Sequence, residues 1–154
     1  MEPSAERTAE RIEELKGRCR SAGRNITPQR IAVYRALLES PDHPTPDALY
    51  EIVRREMPSI SLATIYKSLD ALQDLGVVRE VFRLGDARRF DANLDRHQHL
   101  VCTECGRVDD FYDTHLGELR PPESTNDFTA REVSVNILGR CSLCAAMERP
   151  DDEI

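Results

Sequence analysis

Along the chain, apolar residues recur at helical spacing as far as Leu75 and in short strand-like runs beyond it. Residues 6–22 read as a first helix that ends near Gly23. Thr27 before Pro28 marks a helix start: the hydroxyl serves as N-cap, and proline at the first helical position gives up an N–H that has no helical partner. Ile31, Val33, Tyr34, Leu37 and Leu38 give this second helix its apolar stripe. Thr45 before Pro46 repeats the start signal, and Leu49, Ile52 and Val53 form the stripe of a third helix that stops near Pro58. Ser61 caps a fourth helix, in which Ile65, Leu69, Leu72 and Leu75 share one face while Tyr66, Lys67 and Asp70 fall outside it. Gly76 is its stop. Residues 77–84 and 87–91 then read as two strands joined by a turn at Gly85 and Asp86. Three short helices and a hairpin are the plan of a winged helix-turn-helix domain, which is placed at residues 1–91.

After Asp91 the pattern changes. Residues 92–96 are a polar connector and read as a hinge. Residues 99–102, 107–111 and 132–138 read as strands, 112–119 as a helix, 121–127 as a loop and 150–154 as an acidic tail. The expected fold class is α+β, with the winged helix followed by a small α/β domain over residues 97–149. A unit of about 60 residues buries little surface and needs a staple, either a metal or a partner subunit.

The net charge of −7 looks wrong for a DNA-binding protein until its distribution is read. Up to Asp91 there are fifteen basic and fifteen acidic residues; the remainder holds six and thirteen, so the whole excess lies in the second part. Between Leu15 and Leu38 there is no acid, while Lys16, Arg18, Arg20, Arg24, Arg30 and Arg35 are all basic. Such a run is either a solvated face or a phosphate-binding one. No stretch approaches the roughly eighteen apolar residues of a membrane span. The first residues are charged and helical in pattern, with no apolar signal core, so a cytoplasmic location is expected.

Four of the five cysteines form two C-x-x-C pairs, Cys102 with Cys105 and Cys141 with Cys144, separated by 35 residues. Two thiolates on one tight turn occupy two corners of a tetrahedron, and the second pair supplies the others. Four thiolates around Zn(II) leave no place for water, so the expected site is a closed structural zinc; a rubredoxin-like iron centre and a redox dithiol are the alternatives. Cys19 stands alone and reads as a small buried hydrophobe.

A second constellation is built from nitrogen and oxygen. His97 and His99 are two apart on a strand and face the same side. Asp91 precedes them, Asp110 lies on the next strand, and His43 sits in the loop before the third helix. Taken singly, these are ordinary solvated residues. Together, three imidazoles and two carboxylates make a mixed site that favours Fe(II) or Mn(II) over thiolate-loving ions, without excluding Zn(II), Ni(II) or Co(II). One ion held by both domains would fix the angle between them and act as an on/off device. Asp109 beside Asp110 leaves the register open, since only one of two neighbours on a strand faces the site.

The chain resembles the ferric uptake regulator (Fur) family over nearly its whole length. The resemblance rests on the run from Ile26 to Arg30 (ITPQR), His43-Pro-Thr45, the run from Ser61 to Tyr66 (SLATIY), Arg89-Phe-Asp91, His97-Gln-His99, Asp109-Asp-Phe111 and both C-x-x-C pairs. It implies a homodimer with N-terminal winged helices and a C-terminal dimerisation domain, a repressor that binds AT-rich inverted repeats of double-stranded DNA when loaded with metal. It also implies that His43, Asp91, His97, His99 and Asp110 are the regulatory ligands, and that Cys102, Cys105, Cys141 and Cys144 hold the structural zinc. Tyr66 matches a base-contacting residue and can reach a thymine methyl. Arg24, Arg30, Ser61, Thr64 and Lys67 complete the candidate DNA contacts.

At Asp110 the chain resembles the peroxide-sensing branch of that family, which carries Asp at this position, whereas iron-uptake regulators more often carry Glu there. The branch implies that Fe(II) in an open site reacts with hydrogen peroxide and that His43 or His97 is oxidised, releasing DNA. An iron-level repressor is the alternative. Arg96, Gln98 and Val133 stand where members with a further metal site carry ligands, so no third site is expected, and Asp91 stands where zinc sensors tend to place Cys. His115 is read as a solvated helix position, with a supplementary ligand as the alternative. Two other classes remain as comparisons: a non-haem metalloenzyme, for which no nucleophile pair, phosphate loop or cofactor fingerprint is present, and a zinc-stapled interaction module with no regulatory metal.

Overall fold

The computed structural model describes residues 5–81, 85–122, 127–130 and 132–147. The chain divides into two compact units, Met1–Leu94 and Asp95–Ile154. In the first, α1 (Ala5–Ser21), α2 (Pro28–Glu39), α3 (Pro46–Val53) and α4 (Leu62–Asp74) precede the two short strands β1 (Arg79–Glu80) and β2 (Phe90–Asp91). Three of the four helices start at the residues the caps predict. The Thr27 hydroxyl accepts from the Arg30 N–H, Thr45 from Ala48 and Ser61 from Thr64, each in extended backbone geometry. Gly76 takes a left-handed φ of 69° just after α4 and donates its N–H to the Gln73 carbonyl, ending the helix as a residue without Cβ can.

The core of this unit centres on α2, which packs against α1, α3 and α4. Its Val33 and Tyr34 are fully enclosed, beside Leu15 and Cys19 of α1, Leu49 of α3, and Ile65, Leu69 and Leu72 of α4. Ala32 and Ala36 are buried as well, while Ile31 and Leu38 are only partly covered, so the buried face of α2 is broader than its large residues suggest. Cys19 sits in the core as a small apolar group. The hairpin strands are shorter than expected: β1 and β2 pair antiparallel through Arg79 with Asp91 and Glu80 with Phe90. Part of the expected strand 77–84 lies outside the described residues.

The second unit holds β3 (Gln98–Cys102), β4 (Val108–Phe111), α5 (Thr114–Gly117), β5 (Asn136–Gly139) and α6 (Ser142–Ala146). The sheet order is β4-β3-β5, with β3 antiparallel to β4 and parallel to β5. β5 starts at Asn136, four residues later than the expected strand, and α5 is a single turn capped by the Asp113 carboxylate. The tail 150–154 and part of the loop 121–127 lie outside the described residues. Among the described residues of this unit, only Val101, Cys102 and Val108 are buried apolar groups.

Leu69 is fully enclosed on the inner face of α4. Leu69→Ala is expected to lower the stability of the first unit by about 2–5 kcal/mol. Urea unfolding of metal-loaded protein checks this; a cost near zero would mean that α4 does not pack as described.

Candidate metal centres and nucleic-acid interface

Cys102 ends β3, and Cys105 follows it on a turn closed by the Gly106 N–H donating to the Cys102 carbonyl at 3.0 Å. Gly106 has a φ of 71°, the left-handed conformation that this turn requires. Cys141 and Cys144 lie at the start of α6, a helical turn that the spacing did not foretell. The two turns meet because the Thr103 N–H donates to the Gly139 carbonyl at 2.8 Å, carrying the end of β5 beside the first pair. All four Sγ atoms lie within 4.8 Å of one another. A tetrahedral zinc with bonds of about 2.3 Å separates its sulfurs by roughly 3.8 Å, and Cys105 Sγ and Cys141 Sγ are 3.8 Å apart.

The thiols are electrostatically uneven. Backbone N–H groups, first that of Cys105 and then those of Cys141 and Glu104, pull the Cys102 thiol down to about 6. Hydrogen bonds with the Cys141 and Cys105 thiols push Cys144 up to about 12. The cluster thus favours a thiolate at Cys102 and resists one at Cys144, and a divalent cation bound among the sulfurs would remove that resistance by replacing the proton. The donor set and spacing fit a closed zinc site.

The first unit supplies two of the nitrogen and oxygen donors and the second supplies three. In the first, His43 Nδ1 lies 3.8 Å from Asp91 Oδ1. The Arg89 guanidinium donates to the His43 carbonyl at 2.8 Å, and the Phe90 N–H donates to the Pro44 carbonyl at 3.2 Å, so the loop bearing His43 is tied to the strand bearing Asp91. In the second, His97 Nε2 and His99 Nε2 are 3.0 Å apart. Asp110 Oδ1 is 3.3 Å from the former and 3.8 Å from the latter. His97 Nδ1 lies 2.8 Å from the Asp95 carbonyl, a contact that places the proton on Nδ1 and leaves the Nε2 lone pair facing its neighbours. Ligand atoms about 3.0 Å apart match the edge of a six-coordinate shell with bonds near 2.1 Å.

Strand pairing decides between the two aspartates. His99 stands opposite Asp110, whereas Leu100 stands opposite Asp109. Asp109 pairs instead with the Arg107 guanidinium at 2.8 Å. Several supporting contacts were not read from the sequence, although Arg89 and Gln98 belong to its motifs: that of Arg89 with the His43 carbonyl, that of the buried Gln98, whose Oε1 accepts from the Asp113 N–H at 2.8 Å, and that of Tyr112, whose ring lies 5.7 Å from that of His97.

On α4, Tyr66 is half-buried and Lys67 exposed. Ser61 caps the helix, its hydroxyl 2.9 Å from that of Thr64. The basic run meets acids from outside itself once folded: Lys16 pairs with Glu13, Arg18 with Glu14, Arg24 with Asp74 and Arg35 with Glu56. The Arg30 guanidinium donates to the Asn25 carbonyl.

The chain was compared with known proteins. The Ferric uptake regulator family model matches residues 21–138. The peroxide-responsive repressor PerR of Staphylococcus aureus (strain USA300) is 38% identical over 134 residues, which is 86% of this chain and 90% of that protein. The crystal structure of the Campylobacter jejuni peroxide stress regulator is 31% identical with a TM-score of 0.59, over 84% of this chain and 95% of that one. The Helicobacter pylori ferric uptake regulator superposes with a TM-score of 0.72 over 92% of this chain and 96% of that one, at 18% identity, a likeness of fold. A winged-helix unit joined to a four-cysteine unit with clustered imidazoles and carboxylates defines a metal-binding, DNA-binding regulator. The chain belongs to the ferric uptake regulator family and is a transcriptional regulator of the Fur/PerR type, from a family of dimeric DNA-binding regulators rather than enzymes.

Cys141→Ser removes one of four thiolates and is expected to abolish zinc retention and collapse the second unit. Metal analysis and circular dichroism read both; a folded, zinc-free protein would overturn the structural role.

Proposed function

We propose that this regulator senses hydrogen peroxide, through Fe(II) held jointly by His43 and Asp91 of the first unit and His97, His99 and Asp110 of the second. The observation that carries the reading is the position of Asp110, opposite His99 with its carboxylate 3.3 Å from His97 Nε2. Its short side chain completes a hard oxygen and nitrogen set beside two imidazoles, which suits Fe(II) or Mn(II). Likeness to a peroxide-responsive repressor over most of both chains supports the same reading. Fe(II) bound there would supply the electrons that turn hydrogen peroxide into an oxidant, with His43 or His97 as the imidazole expected to be modified. Loss of one ligand from a shared site releases the constraint between the units, and the DNA-competent population falls. Mn(II) supports DNA binding without that reactivity.

In this reading α4 enters the major groove of an AT-rich inverted repeat, with Tyr66 on a thymine methyl and Lys67 on phosphate. Ser61 and Thr64 present the N-terminal end of α4 to the backbone. Arg24 and Arg30 leave their present partners for phosphates; an exposed pair such as Arg24 with Asp74 is worth little and is readily exchanged. Two copies join through the second unit, which carries nine of the eleven large apolar side chains exposed among the described residues. No helix among the described residues is long and apolar enough to cross a membrane; the proposed site of action is the cytoplasm.

The deciding experiment loads the protein with Fe(II) or with Mn(II), adds hydrogen peroxide, and follows histidine peptides by mass spectrometry beside DNA binding. One added oxygen on His43 or His97, in the Fe(II) form alone and with loss of DNA, is expected. Unmodified histidines and intact binding in both forms would mean an iron-level repressor. Separately, His97→Ala is expected to remove metal-stimulated DNA binding while leaving the dimer, checked by fluorescence anisotropy and light scattering; an unchanged metal response would overturn the assignment of His97 to the sensing site, and DNA binding indifferent to added metal in both proteins would point to a zinc-stapled module with no regulatory ion.

A further inference from the structure

α1 lies before the family match except for its last residue, yet two of its arginines reach main-chain carbonyls at distant points of the first unit. Arg11 Nη2 donates to the Tyr34 hydroxyl at 3.0 Å and to the Ala92 carbonyl at 2.8 Å. Arg18 Nη1 donates to the carbonyls of Leu75 and Gly76, both at 3.2 Å, where α4 ends. Glu14 stands between the two, 3.6 Å from Arg11 Nε and 2.8 Å from Arg18 Nη2. The helix is seated by Ile12, Leu15 and Cys19, all buried in the core, so the arginines project from a fixed support.

Ala92 follows Asp91 directly. The Asp91 carboxylate accepts from the Asn93 N–H at 2.7 Å, and Arg79 donates to the Asn93 carbonyl at 3.1 Å. Beyond β2 the segment has no sheet ladder to hold it. Its peptide planes are held instead by charge-assisted bonds from Arg11 and Arg79, a stronger kind than a neutral pair. The direction of the Asp91 side chain depends on those planes.

We propose that Arg11 is a positioning residue for Asp91, and that α1 ties the segment bearing this ligand to the end of α4. The proposal rests on the reading of Asp91 as a regulatory ligand. Removing Arg11 loosens residues 89–95 while leaving the donor atoms themselves in the chain. Outer partners of metal ligands have effects of about tenfold or more on affinity.

The test uses full-length, zinc-loaded protein and the variants Arg11→Met, Tyr34→Phe and Asp91→Asn. Amide hydrogen exchange is followed without added Mn(II), and Mn(II) binding is then read by electron paramagnetic resonance. In Arg11→Met, exchange in peptides covering 89–95 is expected to accelerate while α2 peptides stay protected, and Mn(II) affinity to fall about tenfold. Tyr34→Phe keeps the ring and loses only the hydroxyl, so it is expected to move both readouts the same way by less. Wild-type exchange and affinity in Arg11→Met, with Mn(II) binding lost in Asp91→Asn, would overturn the proposal and leave the metal site standing. Accelerated exchange across α2 as well would make Arg11 a general support of the fold and overturn it too. Mn(II) binding retained in Asp91→Asn would overturn the ligand reading, and the proposal with it.

Discussion

Four sulfur atoms gathered within 4.8 Å carry the second unit. With only three apolar residues buried among those described, hydrophobic burial within one copy does not repay the entropy of ordering this segment. Metal binding in four-thiolate sites contributes roughly 10–16 kcal/mol in small zinc peptides, which is the scale required. The consequence reaches past stability. Cys102 ends the same strand that carries His99, and β3 is the central strand of its sheet. Fixing Cys102 sets the register that places His99 opposite Asp110. A closed zinc site at these cysteines would therefore set the geometry of the proposed open one.

The first unit solves its problem differently. Its core is continuous and fully enclosed, and the metal-binding candidates lie at its edge. His43 sits in a loop and Asp91 at the end of a two-residue strand, neither rigid by itself. Main-chain carbonyls near both accept from guanidinium groups of Arg89, Arg11 and Arg79. Arginine suits the task because its planar, permanently charged fork can serve two acceptors at once, as Arg11 does with Tyr34 and Ala92.

Much of this was legible in the residue pattern. Thr27, Thr45 and Ser61 mark helix starts because capping is a local bond between residues three apart. The two C-x-x-C pairs were legible because thiolate spacing is also local. What escaped depends on pairing between distant residues. Whether Asp109 or Asp110 joins the histidines is decided by the partner strand, so the residue pattern left it open and only the family resemblance pointed to Asp110. The late start of β5 follows from its parallel alignment with β3, which the run 132–138 does not encode. The basic run from Lys16 to Arg35 is also less bare than its composition suggests, through two local pairs within α1 and two distant ones. It contains no acid, yet Glu13, Glu14, Asp74 and Glu56 reach four of its members in the fold.

That last point bears on how an acidic protein approaches DNA. Exposed ion pairs contribute little to stability, so their partners are available for exchange with phosphate. Arg18 is different, because its guanidinium also donates to two carbonyls at the end of α4. Releasing it would cost the end of that helix its ordered termination. Among the basic residues of the run, Arg24 is therefore better suited than Arg18 to a phosphate contact. The salt sensitivity of binding is then expected to come from a small set of cations around α4, and not from the whole basic stretch.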